Sequence, residues 1–419
     1  MLSQPLRSTV GRFTVRKFLT ENPTVEPLNL SRNLFLLNAL LFVTITRNPR
    51  GLIMKTYPIP MVPGPVKAHP AVLEAYRVDY GSADLEKEYV ELYTQSEINL
   101  KRILQTQNSV VIFLGEGMMA LWGALKSCLR PGERVLAIGT GVYGYGIGDM
   151  AAAVGAEIRT VGLSYDETLA DLSEVQKAIA EFKPKMITVV HCETPSGTLN
   201  PIDGLGRLKQ EMGVPLLYVD AVSSIGGVPV LPDEWNIDLC LGGAQKCLSA
   251  LPDTCFLSVS AKAWEIIDEV NYVGYDAIKP FKTAVERHYF PYTPGWQATA
   301  GLNAGAEAIL REGLEACFKR HAEVAAYCRK RLVEIGYSLY PAPGAVPSPT
   351  VTAVYVPKGI TWTEFDHRLR QQGLVAGGSY GPIAGKVFRL GHMGTQADMG
   401  LVKQALDILD KELYKRASK

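Results

Sequence analysis

Net charge is almost absent from this 419-residue chain: 43 Lys and Arg stand against 42 Asp and Glu, leaving +1. That balance excludes the strongly basic surface by which proteins hold nucleic acid or acidic lipid. The chain also lacks any CxxC pair. Its seven cysteines, at 128, 192, 240, 247, 255, 317 and 328, form no Cys/His cluster at zinc-site spacing. An odd count without a framework reads as reduced thiols in a cytosol-like compartment, each a small buried hydrophobe. The mostly apolar stretch 34–45 has 12 residues, too few for the roughly 20 that cross a bilayer. No membrane partner is expected. Low complexity is missing too: 39 glycines and 26 prolines are scattered, which implies many tight loops.

What is present is an ordinary globular composition, 47% apolar and 20% charged, far from the disorder signature. At ~150 residues per domain the length predicts two or three domains. Residues 1–53 stand out with seven basic and two acidic side chains. Residues 1–20 carry four positive charges, no acid, and Ser3, Ser8, Thr9 and Thr14, a presequence-like mix. We read residues 1–56 as an N-terminal extension. It is either an upstream segment before a true start at Met54, which leaves the protein cytoplasmic, or a mitochondrial presequence.

From Tyr57 onward, short apolar runs alternate with amphipathic stretches. The runs 109–114 (SVVIFL), 134–138, 158–161, 186–191 (MITVVH), 216–220 (LLYVD) and 239–241 read as strands. Helical spacing falls at 116–129, after the Gly-rich turn that follows the second run, at 171–181 and at 205–212. Near-continuously apolar strands separated by helices imply a parallel sheet covered on both faces. Past residue 310 come a long helix (313–335), a Pro/Gly-rich loop, a strand (350–356), a helix (362–371), a strand (387–390) and a last helix from Asp398. The expectation is an α/β protein with a large domain at 57–310 and a smaller C-terminal α+β domain at 311–419.

In an open parallel sheet, ligands bind beyond the carboxyl ends of the strands, so the residues just after each run carry the information. Asp220 ends LLYVD, where a carboxylate needs a cationic partner or costs several kcal/mol. Lys246 follows LCLGGAQ between apolar neighbours, a setting that lowers an amine's pKa as imine chemistry requires. The two could simply pair, but a buried ion pair contributes little stability. A cofactor whose ring nitrogen faces the acid and whose aldehyde faces the amine satisfies each separately, and pyridoxal 5′-phosphate is such a group.

The segments VDAVSSIGG (219–227), GGAQKCLSALP (242–252), HCETPSGTLNPID (191–203) and RLGHMG (389–394) resemble the class-V aminotransferases of pyridoxal-phosphate fold type I. Within that group they are similar to alanine–glyoxylate, serine–glyoxylate and pyridoxamine–pyruvate aminotransferases. The likeness runs from VPGPV at 62 to the C-terminus, and TGVYGYG, DAVSS and the glutamate of LGEGMMAL are closest to the pyridoxamine–pyruvate branch. The resemblance implies a seven-stranded-type sheet, a homodimer and a ping-pong transamination. It implies that Lys246 engages the cofactor aldehyde and carries the proton, and that Asp220 keeps the ring nitrogen protonated. Tyr143 would stack on the ring, and Thr194 would bond near its hydroxyl. Glu116, Gly117, Met118 and Gln245 would lie at the phosphate, with Thr293 reaching it from the neighbouring subunit. Arg389 would clamp a substrate carboxylate bidentately. Glu116 departs from the Ser-Gly-Thr or Ser-Gly-His of glyoxylate-type relatives and is expected to face the ring hydroxyl or the substrate. Ser379-Tyr380-Gly381 stands where the pyridoxamine–pyruvate branch has a second arginine.

Other readings compete. Gly139-Thr-Gly141-Val-Tyr-Gly144 is a GxGxxG after a strand, so a dinucleotide oxidoreductase is a remote alternative. Yet Glu157 precedes the next strand, whereas a ribose-binding acid should end it. A cysteine desulfurase needs a late mobile cysteine, and none follows Cys328. His191 reads as a core histidine and Glu193 as a loop acid. The preferred reading is transfer from alanine or serine to glyoxylate or pyruvate; the alternative is pyridoxamine with pyruvate.

Overall fold

The computed structural model describes residues 46–47, 53–54 and 57–417. The chain divides into two units, Met1–Pro58 and Ile59–Lys419. Of the first, the structure describes a short antiparallel pair, Thr46–Arg47 with Ile53–Met54. The presequence-like residues 1–20 and the apolar stretch 34–45 lie outside the described residues.

The second unit, from Ile59, holds the elements that position the site. In chain order they are β1 (Ile59–Met61), α1 (Lys87–Leu104), β2 (Ser109–Leu114), α2 (Gly117–Cys128), β3 (Arg134–Gly139), α3 (Val142–Ala153), β4 (Glu157–Gly162), α4 (Ser173–Phe182) and β5 (Met186–Val190). Then follow β6 (Cys192–Glu193), β7 (Thr198–Leu199), α5 (Asp203–Glu211), β8 (Leu216–Asp220), β9 (Leu239–Gly243), β10 (Thr254–Val259), α6 (Ala261–Val270), α7 (Trp296–Glu312) and α8 (Leu314–Glu334). The chain closes with β11 (Val351–Tyr355), α9 (Trp362–Gln371), β12 (Leu374–Gly378), β13 (Val387–Gly391) and α10 (Met399–Ala417).

Seven strands form one sheet in the order β2-β10-β9-β8-β5-β3-β4. β10 alone runs antiparallel to its neighbours; the other contacts are parallel. β5, β9 and β10 are buried along their whole length, as strands covered on both faces must be. This is the mostly parallel α/β sheet the sequence predicts, with β10 as the strand it does not. A second sheet, β11-β13-β12-β1, carries its own apolar core around Phe365, Phe388, Leu390 and Leu409. Its edge strand β1 comes from residues 59–61, parallel to β12, so the segment read as the start of the large domain hydrogen-bonds with the later strands. Among the described residues no helix is long and apolar enough to cross a membrane, and the seven cysteines are free and buried.

Candidate active site

The carboxyl ends of β2, β3, β5, β8 and β9 open onto one cleft of about 650 Å³. Glu116, Gly117, Met118, Tyr143, Thr194, Asp220, Gln245 and Lys246 all line it. Eight residues scattered over 131 positions thus converge because parallel strands present their loops to the same edge. Another opening, of about 1160 Å³, lies at the amino ends of β3, β5 and β8, where it is lined by Arg134, Lys185 and Pro215. The Glu133–Lys185 ion pair, at 2.6 Å, spans it, and helix C-termini face it; nothing there combines an acid, an amine and an aromatic ring.

Lys246 and Asp220 share the cleft without pairing: no ion pair joins them among the described residues. The register of β8 with β9 places Asp220 beside Leu241, five positions before the lysine. Lys246 donates its Nζ proton to the carbonyl of Pro63 at 2.7 Å. Burial, with Arg389 adding to it, lowers its pKa to about 8. Asp220 accepts the N–H of Val222 at 2.9 Å; burial raises its pKa to about 6, against the pull of that N–H and of Lys246. Each group sits in the protonation range where its charge can be changed by a partner.

The walls are as specific as the ends. Thr194 and Ser223 hydrogen-bond through their hydroxyls, and burial pushes the Tyr143 phenol up to about 12 while Arg389 pulls it down. Arg389 is 3% exposed. It donates to the carbonyls of Gly378 and Thr194 and lies under the Tyr380 ring at 4.8 Å, a cation–π contact. Two carbonyls and the ring thus hold its plane; Arg389 does not itself line the cleft, but its charge bears on Lys246 and Tyr143, which do.

The structure adds several details to the sequence reading. Glu116 lines the cleft, and its Oε1 also caps α2, accepting the Met118 N–H at 3.2 Å. Thr293 is exposed and outside this chain's cleft. The dinucleotide reading is overturned: the N-terminal amides of α3, where a pyrophosphate would sit, are already taken by the Glu193 carboxylate at 2.6 and 3.2 Å. His191 is a core residue, as its position suggests. Burial lowers its pKa to about 4, and it bonds Ser224 at 2.9 Å.

Pro63, Gly64, Ser223 and Glu193 are site neighbours that sequence reasoning missed. Gly64, at φ +88°, lies against Lys246, where an added Cβ would fall 2.5 Å from Cδ. The PGP run within VPGPV was the available signal, since such turns mark a close backbone approach.

Pyridoxal phosphate fits what is present. An acid and an amine unpaired with it flank a cleft with an aromatic wall, and Gln245 Oε1 is buried there without a hydrogen-bond partner. A flipped amide would offer its N–H₂ to an anion instead.

The comparisons agree with this geometry. Residues 69–388 match the family model of the class-V aminotransferases. The chain is 33% identical to the pyridoxamine–pyruvate transaminase of Mesorhizobium japonicum, over 81% of this chain and 87% of that one. It is 30% identical to the alanine–glyoxylate aminotransferase of Callithrix jacchus, over 85% and 90%. The solved alanine–glyoxylate aminotransferase of Nostoc sp. superposes with a TM-score of 0.82 at 29% identity, covering 88% of this chain and 100% of that one. Sheet order, motif order and cleft chemistry therefore lead to one family: the chain belongs to the class-V aminotransferases, and it is a pyridoxal-phosphate-dependent transferase.

Proposed function

We propose that the enzyme moves an amino group from a small amino acid, alanine or serine, to glyoxylate or pyruvate by a ping-pong mechanism. The observation that carries this reading is Arg389, a buried guanidinium held in plane by the carbonyls of Gly378 and Thr194, whose charge bears on Lys246. One guanidinium grips one carboxylate, and Tyr380 covers its face, which favours monocarboxylic substrates over glutamate or aspartate.

Pyridoxal phosphate, when bound, supplies the conjugated ring that draws off the electrons of the breaking Cα–H bond. The protein's own groups do the rest. Asp220 would set its negative charge against the ring nitrogen and keep a proton there. Lys246, with a pKa near 8, is neutral in roughly a tenth of molecules at pH 7, far more than an ordinary lysine, so its Nζ can take the Cα proton and return it. Tyr143 would wall one face, Thr194 would meet the ring's polar edge, and Gln245 with the Gly117 amide at the positive end of α2 would hold the phosphate, the Met118 N–H being taken by Glu116. Thr293 is assigned to the cleft of a second copy in a homodimer. The buried free cysteines support a reducing, cytosol-like location.

A second reading, free pyridoxamine as donor with pyruvate as acceptor, is favoured by Glu116. Its carboxylate occupies an amide at the end of α2 and opposes a phosphate there. Colour separates the two. For the first reading, purified protein is yellow, bleaches on adding alanine, and recovers with glyoxylate. A colourless protein that consumes pyridoxamine with pyruvate selects the second, and one that does neither sinks both.

A further inference from the structure

Glu193 in β6 has no accessible surface and no ion pair among the described residues. Its Oε1 accepts the Gly144 N–H at 2.6 Å and its Oε2 the Tyr143 N–H at 3.2 Å. These are amides of the first turn of α3, so an acid from one segment caps a helix from another. The grip is built from both sides. The Glu193 carbonyl accepts the N–H groups of Ser196 at 3.3 Å and Gly197 at 2.9 Å and the Ser196 hydroxyl at 3.3 Å, which fixes the acid's backbone. Opposite it, Gly141 leaves the space the carboxylate fills: an added Cβ there would lie 2.5 Å from Cδ, and one at Gly144 3.0 Å from Oε1.

Burying a carboxylate without a cation is costly, and a serine or asparagine would cap the helix at less cost. Burial pushes the Glu193 pKa to about 7, with the two N–H groups pulling down and Asp220 pushing up. What two charge-assisted bonds add over a neutral cap is rigidity at residues 143 and 144. Tyr143 is the residue whose side chain faces the cleft from that turn.

We propose that Glu193 is the positioning residue of Tyr143: by holding the amides of residues 143 and 144, it fixes the first turn of α3 and with it the phenol wall of the cofactor cleft. This rests on the assignment of Tyr143 to the ring face made above.

The test uses the holoenzyme and the variants E193A, Y143A and E193A/Y143A. Three readouts are taken: turnover, the visible circular dichroism of the bound cofactor, and amide exchange at residues 143 and 144 in cofactor-free protein. E193A is expected to weaken the dichroic band, to speed exchange at both amides, and to lower turnover roughly 10- to 100-fold, the cost of a misplaced group. In the Y143A background the same change should cost less than about threefold, because residues acting as a unit are non-additive. G141A, whose Cβ evicts the carboxylate, should reproduce E193A. E193Q, which keeps the length and one acceptor, should recover part of the loss and serves where E193A does not fold. An additive loss in the double variant, or unchanged exchange at residues 143 and 144, overturns the inference while leaving the aminotransferase reading intact. A wild-type protein with no cofactor band overturns that reading and this inference with it.

Discussion

At the scale of single residues, burial decides the chemistry. Lys246 and Asp220 are both shifted toward their neutral forms by the protein around them, and a cofactor placed between them restores a use for each charge. Lys246→Ala should therefore lower turnover roughly 10²- to 10⁴-fold, read as the rate at which alanine bleaches the cofactor band. Asp220 allows a test on the cofactor-free protein. Its pKa rises from 3.8 to about 6 on folding, so between those values the folded state holds the extra proton and stability falls as pH rises. Above that window the ionised carboxylate is a net cost. Asp220→Asn, which keeps an acceptor for the Val222 N–H, should be more stable than wild type at about pH 7.5, by on the order of 3 kcal/mol, and so melt higher, with the gap closing below the unfolded pKa. A lower melting point at the higher pH would contradict it. Both residues were legible because each ends or follows an apolar run. Glu193 was not, because nothing local says that a loop acid reaches an amide 49 positions earlier.

At the scale of elements, periodicity located the buried strands and amphipathic helices but missed those defined by neighbours. β12 reads LVAGG, and its two glycines look like a turn. They are required by close packing instead: a Cβ at Gly378 would meet Trp362 Nε1 at 2.5 Å, and one at Gly377 would meet Pro63 at 2.6 Å. β10 follows a loop with no helix before it, and its place between β9 and β2 depends on pairing alone. α5 offers a test remote from the cleft. A Cβ on Gly206 would fall 1.8 Å from the Trp235 carbonyl oxygen, and backbone cannot yield as a side chain does. Gly206→Ala should cost about 1–3 kcal/mol in denaturant unfolding, with the cofactor spectrum of the folded fraction unchanged.

At the scale of the molecule, residues 59–66 tie the two sheets together. β1 completes the second sheet, the Pro63 carbonyl accepts a hydrogen bond from Lys246 Nζ, and the Val66 N–H reaches the Gln245 carbonyl at 3.1 Å. A chain beginning at Val66 loses the edge strand and the lysine's acceptor together. We expect it to lose cofactor binding and to unfold at lower denaturant than the full chain; equal binding by both would show that the strap is dispensable.

The amino-acid sequence by itself determined which runs become buried strands, and that an acid, an amine, a tyrosine and a threonine emerge at their carboxyl ends. Those are consequences of local pattern, since apolar runs bury themselves and polar residues end them. Only the tertiary structure decided that Asp220 and Lys246 stay apart, that Glu116 turns back on its own helix, and that Glu193 holds Tyr143. Such distances follow from strand order and register across the sheet, which bring together residues far apart along the chain and which no local pattern encodes.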